Sequence, residues 1–279
     1  MYWQTTRFRL DLSRPRLMGI VNVTADSFSD GGRFLAPRDA LAHCERLVRE
    51  GADLLDLGAE SSRPGADPLP AETEWARLEP VLREALTLGL PVSVDTCKPE
   101  VMRRALDAGA DIVNDIRGLR EPGAAQAVAA HPACGVCVMH MQGDPATMQR
   151  SPCYEDVVAE VKEFCLARVQ ALEALGVARE RLVIDPGIGF GKRVEDNLAL
   201  LARQSELLEL GFPVLAGWSR KSTLGVLCAR EVDERLAASV AAALLAAQRG
   251  AAVLRVHDVA ATRDALTVWQ AVGAATPGA

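Results

Sequence analysis

A (β/α)8 TIM barrel is the fold this sequence predicts, and three observations predict it. Eight short apolar runs, each ending in polar residues, alternate with longer amphipathic stretches. Several of those stretches close on one phrase before the next run: Glu50-Gly51-Ala52-Asp53, Ala108-Gly109-Ala110-Asp111 and Arg249-Gly250-Ala251-Ala252. Glycine just past a helix end is the expected cap. No linker, low-complexity tract or charge block interrupts the 279 residues, so residues 1–279 are expected to form a single domain. The alternative, a doubly wound open sheet, requires some of the eight runs not to be strands.

Before the first run, residues 1–14 carry alternating apolar positions at Phe8, Leu10 and Leu12, which predicts a short N-terminal strand or hairpin. The eight runs are Leu17–Val23, Asp53–Gly58, Pro91–Asp95, Asp111–Asp115, Gly135–His140, Leu182–Asp185, Pro213–Trp218 and Val253–Val256. Helical spacing between them is clearest at Val157, Val161, Phe164, Cys165, Leu172 and Leu175.

Composition narrows the function. Hydrophobic residues make up 49% of the chain, enough for a large core, and the net charge of −6 argues against a general nucleic-acid surface. No apolar run is long enough to span a bilayer, and no signal-peptide layout opens the chain. Seven scattered cysteines suit reduced thiols and a cytoplasmic protein better than a disulfide framework. Cys134-Gly135-Val136-Cys137 has no second pair to complete a zinc site, and a strand would point its thiols to opposite faces. It reads as core.

In such a barrel the C-terminal ends of the strands form the working face. Read in order, that rim holds Asn22; Asp56 and Glu60; Asp95; Asn114 and Asp115; His140; Asp185; Ser219 and Lys221; Arg255 and His257. A full ring of polar groups is costly to bury without a ligand. The basic members gather after strands seven and eight, in Ser219-Arg220-Lys221-Ser222 and in Arg255 with His257, the usual anion corner of this fold. Asp95, Asn114 and Asp185 lie opposite and suit a flat ligand rich in N–H donors.

The stretch Leu182-Val183-Ile184-Asp185-Pro186-Gly187-Ile188-Gly189-Phe190-Gly191-Lys192 sets a carboxylate at the rim before a glycine turn. Its glycine spacing matches neither the dinucleotide fingerprint nor the P-loop. Two loops, Thr24–Gly32 and Ser61–Gly65, have the small polar composition of segments that open and close over a site. His43 and His131 read as solvated, and His140 as lining or packing rather than metal-binding. Cys97 reads as a small buried thiol. The helix over 235–248 is apolar nearly all round (Leu236, Val240, Leu244, Leu245), more than a monomer's surface helix needs.

These motifs resemble those of the dihydropteroate synthase family. The resemblance runs through Met18–Thr24 with Asp26–Gly32, Glu60–Gly65, Ser93–Thr96, Asn114-Asp115, Asp185–Lys192, Ser219–Ser222 and Arg255–Asp258. It implies condensation of 6-hydroxymethyl-7,8-dihydropterin diphosphate with p-aminobenzoate, giving 7,8-dihydropteroate and diphosphate. By resemblance, Asp95, Asn114, Asp185 and Lys221 hold the pterin. Asn22 helps bind Mg2+ on the diphosphate, and Ser62, Arg63, Arg255 and His257 bind the diphosphate or the loops over it. Phe28, Arg63, Pro64, Phe190 and Ser222 shape the p-aminobenzoate pocket, also the sulfonamide pocket of the family. The residues expected to act in the chemical step are Asp95, Arg63, Lys221, Arg255 and His257. The family pairs through its last helices, so a homodimer is expected.

Three positions depart from the family pattern: Ser62 for Thr, Ala59 for Gly, and Ala25 for Pro. None removes a charged or hydrogen-bonding group. Two other classes remain in view. A pterin-binding methyltransferase would not need the basic cluster after strands seven and eight, and a non-catalytic binder should have lost several rim groups.

Overall fold

A computed structural model describes residues 1–23, 35–60, 68–144 and 147–275 of the chain. It opens with an antiparallel hairpin, β1 (Tyr2–Gln4) and β2 (Arg9–Asp11). Eight strands follow: β3 (Arg16–Asn22), β4 (Leu54–Gly58), β5 (Val92–Asp95), β6 (Ile112–Asp115), β7 (Gly135–Met139), β8 (Leu182–Asp185), β9 (Val214–Ala216) and β10 (Ala251–Val256). They pair in parallel and close into a barrel in the order β10-β3-β4-β5-β6-β7-β8-β9. Each lies within two residues of an apolar run read from the sequence. The expected barrel and N-terminal hairpin are both present.

The surrounding helices are α1 (Leu35–Arg49), α2 (Ala71–Ala85), α3 (Pro99–Asp107), α4 (Ala124–Ala130), α5 (Val157–Ala174), α6 (Val194–Ala202), α7 (Ser205–Leu208), α8 (Ser222–Cys228), α9 (Leu236–Gln248) and α10 (Val259–Ala274). Their ends follow local chemistry. Asp156 caps α5 by accepting from the Val158 and Ala159 amides at 2.9 and 3.2 Å. The recurring closing glycines, Gly51, Gly109 and Gly250, all take the left-handed conformation, with φ of 94°, 103° and 88°.

Strand periodicity divides the interior in two. Leu17, Leu55, Leu57, Val92, Val94, Val113, Val136 and Ile184 face outward and join the helices in the larger core. Met18, Leu54, Ile112, Cys137, Val183, Leu215 and Val253 form a second cluster inside the barrel, sealed by Trp3. The Trp3 indole donates to the Arg181 carbonyl at 2.9 Å, and Arg7 pairs with Asp111 at 2.7 Å, so the hairpin closes the bottom. Cys134 and Cys137 part as expected: the second lies inside the barrel, while the first faces the Arg181 guanidinium at 3.1 Å. All seven cysteines are free. No helix among the described residues is long and apolar enough to cross a membrane.

Candidate active site

Two residues above that apolar layer, the same strands turn polar. Leu54 gives way to Asp56, Ile112 to Asn114, Val183 to Asp185 and Val253 to Arg255. Period-two geometry keeps each replacement inside the barrel. At the centre the Arg255 guanidinium donates through Nε to Asp56 Oδ2 at 2.6 Å and through Nη2 to Asp95 Oδ2 at 2.8 Å. Asn114 Nδ2 donates to the same Asp56 oxygen at 3.2 Å. Burial works against the Arg255 charge, yet Asp56 and Asp95 together push its pKa up. Asp95 is pushed up to about 7, because burial outweighs the pull of Arg255. Among the described residues, Asp56 Oδ1, Asn114 Oδ1 and Ser93 Oγ are buried with no hydrogen-bond partner. Buried acceptors are normally paired, so these three mark where a ligand's donors belong.

Asp185 ends β8, and one of its oxygens accepts from the Gly187 amide at 2.7 Å. Burial raises its pKa in spite of that bond and the nearby Lys221 charge. The glycines after it have separate reasons. Gly187 and Gly191 take positive φ, and a Cβ on either would collide with a carbonyl oxygen, of His140 and Gln142 respectively. Gly189, also at positive φ, leaves room for Lys221, whose Cδ would lie 3.1 Å from a Cβ there.

Lys192 closes this turn from beneath. Its buried ammonium meets Gly187 O and Phe190 O at 3.0 Å each and His140 Nδ1 at 2.9 Å. Burial lowers its pKa to about 7, with Asp185 opposing. His140 is brought down to about 2 by burial and then by Lys192, so its ring is neutral and Nδ1 accepts. That ring packs edge-on against Phe164 at 4.9 Å.

Above the turn, the Lys221 ammonium sits 4.1 Å from the Phe190 ring centroid. Burial, then Arg255, lowers Lys221 to about 8. Phe190 joins Met139, Met141, Met148 and Ile116 in a small apolar cluster at the mouth. On β10's far end, Ser219 Oγ lies 3.0 Å from His257 Nδ1 and accepts from the His257 amide at 3.2 Å. Burial, then Arg220, brings His257 down to about 3, leaving a neutral imidazole. Ser222 begins α8, exposed, and Asn22 ends β3 with its side chain exposed.

Of the rim residues read from the sequence, Asp95, Asn114, Asp185, Lys221, Arg255 and His257 do meet at the barrel mouth, joined by Phe190, which the resemblance places in the p-aminobenzoate pocket. Others are diverted. Arg220, at φ 59°, turns to pair with Asp258 at 2.7 Å instead of joining the anion corner. Asp115 faces outward and accepts from the Arg117 and Leu119 amides at 2.8 Å each, organising a turn. Glu60 shares Lys98 with the fully buried Glu74. His43 and His131, expected to be solvated, are half-buried: His43 Nε2 bonds the Ile20 carbonyl at 3.1 Å, and His131 Nδ1 accepts from Cys134 at 2.9 Å. Phe28, Ser62, Arg63 and Pro64, with both flanking loops, lie outside the described residues. Sequence reasoning missed three participants. Asp56 was read as rim but not as the residue that holds Arg255, and Met139 and Ile116 looked like ordinary strand core.

Against known proteins, the model of the family described as "Pterin binding enzyme" matches residues 18–257. The dihydropteroate synthase of Neisseria meningitidis serogroup B is 50% identical over 277 residues, covering 97% of both chains. Xanthomonas albilineans dihydropteroate synthase with 4-aminobenzoic acid superposes with a TM-score of 0.93 at 54% identity, over 99% of this chain and 100% of that one. The same organism's enzyme in complex with 7,8-dihydropteroate gives 0.86 at 52% identity, over 96% of each. The chain belongs to the dihydropteroate synthase family.

Proposed function

We propose that the chain joins 6-hydroxymethyl-7,8-dihydropterin diphosphate to p-aminobenzoate, releasing 7,8-dihydropteroate and diphosphate. One observation supports the residue assignment: among the described residues, unpartnered buried oxygens of Asp56, Ser93 and Asn114 stand beside Asp185 in one sector, while Arg255, Lys221 and His257 converge from the other. A donor-rich pterin ring with an anionic tail satisfies both sides.

In this reading Asp185, Asn114 and Asp95 accept from the pterin and Lys221 donates to it. Arg255 and the neutral His257 donate to the diphosphate, joined by Ser62 and Arg63. Phe190 walls the p-aminobenzoate position, with Phe28, Pro64 and Ser222 completing it. As diphosphate leaves, positive charge grows on the pterin methylene, and the buried carboxylates of Asp95 and Asp185 favour it. That charge in turn favours the ionised form of Asp95. The arylamine attacks with its own lone pair, so no side-chain base is required.

Mg2+ fits the residues present. No group of three carboxylate, imidazole or thiol side chains among the described residues could cage a metal. Mg2+ commonly binds instead through one or two protein oxygens plus substrate phosphates, and the exposed Asn22 amide can supply one. When bound, the ion neutralises diphosphate charge.

Homodimerisation is part of the proposal. Neighbouring α8, α9 and α10 expose Val226 (68%), Leu227 (52%), Leu245 (40%) and Val268 (65%). Val268→Asp should convert a dimer to monomer in sedimentation velocity, and an unchanged dimer would place the contact elsewhere. Free cysteines throughout support a cytoplasmic setting.

The deciding assay is diphosphate release with Mg2+, with and without p-aminobenzoate. Release that requires p-aminobenzoate and yields dihydropteroate supports the reading, and Arg255→Ala should then lose about a hundredfold or more in kcat/KM. Pterin binding without release would leave a binder or a methyltransferase.

A further inference from the structure

The glycine turn after β8 carries Phe190 and neighbours two other site groups, yet it contains no helix or strand over residues 186–191. A segment without regular structure must find partners for its carbonyls elsewhere. Here they come from side chains on separate elements. Gln149 Nε2 donates to Gly189 O at 2.7 Å, and the Tyr154 hydroxyl donates to Gly191 O at 2.6 Å. Asn197 Oδ1 accepts from the Gly189 amide at 2.8 Å. Gly187 O and Phe190 O both accept from the buried ammonium of Lys192.

We infer that Lys192 is a positioning residue for this turn, holding Phe190 where the p-aminobenzoate ring must lie. The inference rests on the function proposed above. Its geometry is that of a three-way tie. One Nζ meets the carbonyls at both ends of the Gly187–Phe190 turn, where the Phe190 amide also returns to Gly187 O at 3.1 Å. Its third partner, His140 Nδ1, belongs to the segment leaving β7 and is itself fixed against Phe164. The turn is therefore referenced to the neighbouring strand as well as to its own.

Burying an ammonium 3% exposed is costly, and a methionine would fill much the same space. The feature a lysine adds is direction: tetrahedral donors that meet these acceptors only when the turn is in this conformation. Lys221 touches the Phe190 ring, but its backbone stands at the start of α8, outside the turn, so its place does not depend on Lys192. Asp185 is less dependent. It stands on β8 itself, and only one of its oxygens touches the turn, at Gly187.

Different substrates should therefore feel the loss unequally. In the full chain, Lys192→Met is expected to raise KM for p-aminobenzoate by about tenfold or more. The dissociation constant of pterin diphosphate should stay within about threefold of the parent's. Lys192→Gln, which keeps two donors, should fall between. A purely structural lysine would lower the melting temperature and leave both constants of the folded fraction unchanged, and that result overturns the inference. Equal weakening of both substrates overturns it as well. Should neither variant fold, Gln149→Ala and Tyr154→Phe release the same turn from its outer side. An unchanged KM for p-aminobenzoate in both would show that the turn's position does not matter. A parent chain that makes no dihydropteroate would instead refute the proposed function, before any variant is compared.

Discussion

Asp56 offers the sharpest test of the site's internal logic. Its side chain is fully buried, and one oxygen accepts from both Arg255 and Asn114. Asp56→Asn keeps the shape and removes the charge. An amide there leaves Arg255 with Asp95 as its nearest carboxylate, 2.8 Å from Nη2. Stripping one partner from a buried ion pair costs about 3–5 kcal/mol, and the surviving Asp95 limb points to the lower end. At about 3 kcal/mol, a chain of this size should melt roughly 6–12 °C lower. If about 1.5–3 kcal/mol of that is lost from holding Arg255 against the diphosphate, kcat/KM for pterin diphosphate falls about 10- to 150-fold. Differential scanning fluorimetry and diphosphate release read the two effects separately. A variant that melts within about 2 °C of the parent and keeps kcat/KM within about threefold would refute the claim that Asp56 sets Arg255.

Two further outcomes follow from the same contacts. Lys98 pairs at 2.5 Å with Glu74, fully buried on α2, whose Oε1 has no partner among the described residues. Lys98→Met should cost about 3–5 kcal/mol in denaturant unfolding, and adding Glu74→Met should recover most of it; no recovery would mean Lys98 stabilises chiefly through Glu60. His257 has a folded-state pKa of about 3, below its ordinary 6.5, so the unfolded chain takes up the proton first as pH falls. Its neutral burial therefore costs stability as pH drops below the unfolded value, about 2 kcal/mol by pH 5. His257→Gln should make the melting temperature fall less between pH 7 and 5; an identical fall would show that this imidazole is not held neutral.

Barrel strands were legible because a parallel strand covered on both faces is an almost unbroken apolar run, and eight of them stand in this chain. The rim was legible where polar residues interrupt those runs. Strand order alone did not say what each rim residue would do. Asp56 and Asp115 are both acids near a strand's end, but Asp56 follows Leu54 by two and points inward, whereas Asp115 follows the inward Asn114 by one and points out to the Arg117 and Leu119 amides. Period-two counting from the apolar layer separates them. The same count finds Met139 above Cys137 and Ile116 above Asn114, so these two were recoverable from register. Arg220 was not. Its diversion depends on Asp258, 38 residues on, and on a left-handed backbone that no flanking glycine announces. Lys192 was hidden for a related reason: a charge after a glycine turn reads as solvent-facing until the turn's unpaired carbonyls are counted. Alternation along a strand is thus informative inside the barrel, while beyond the strand ends the backbone's own hydrogen-bond demand decides which side chains turn in.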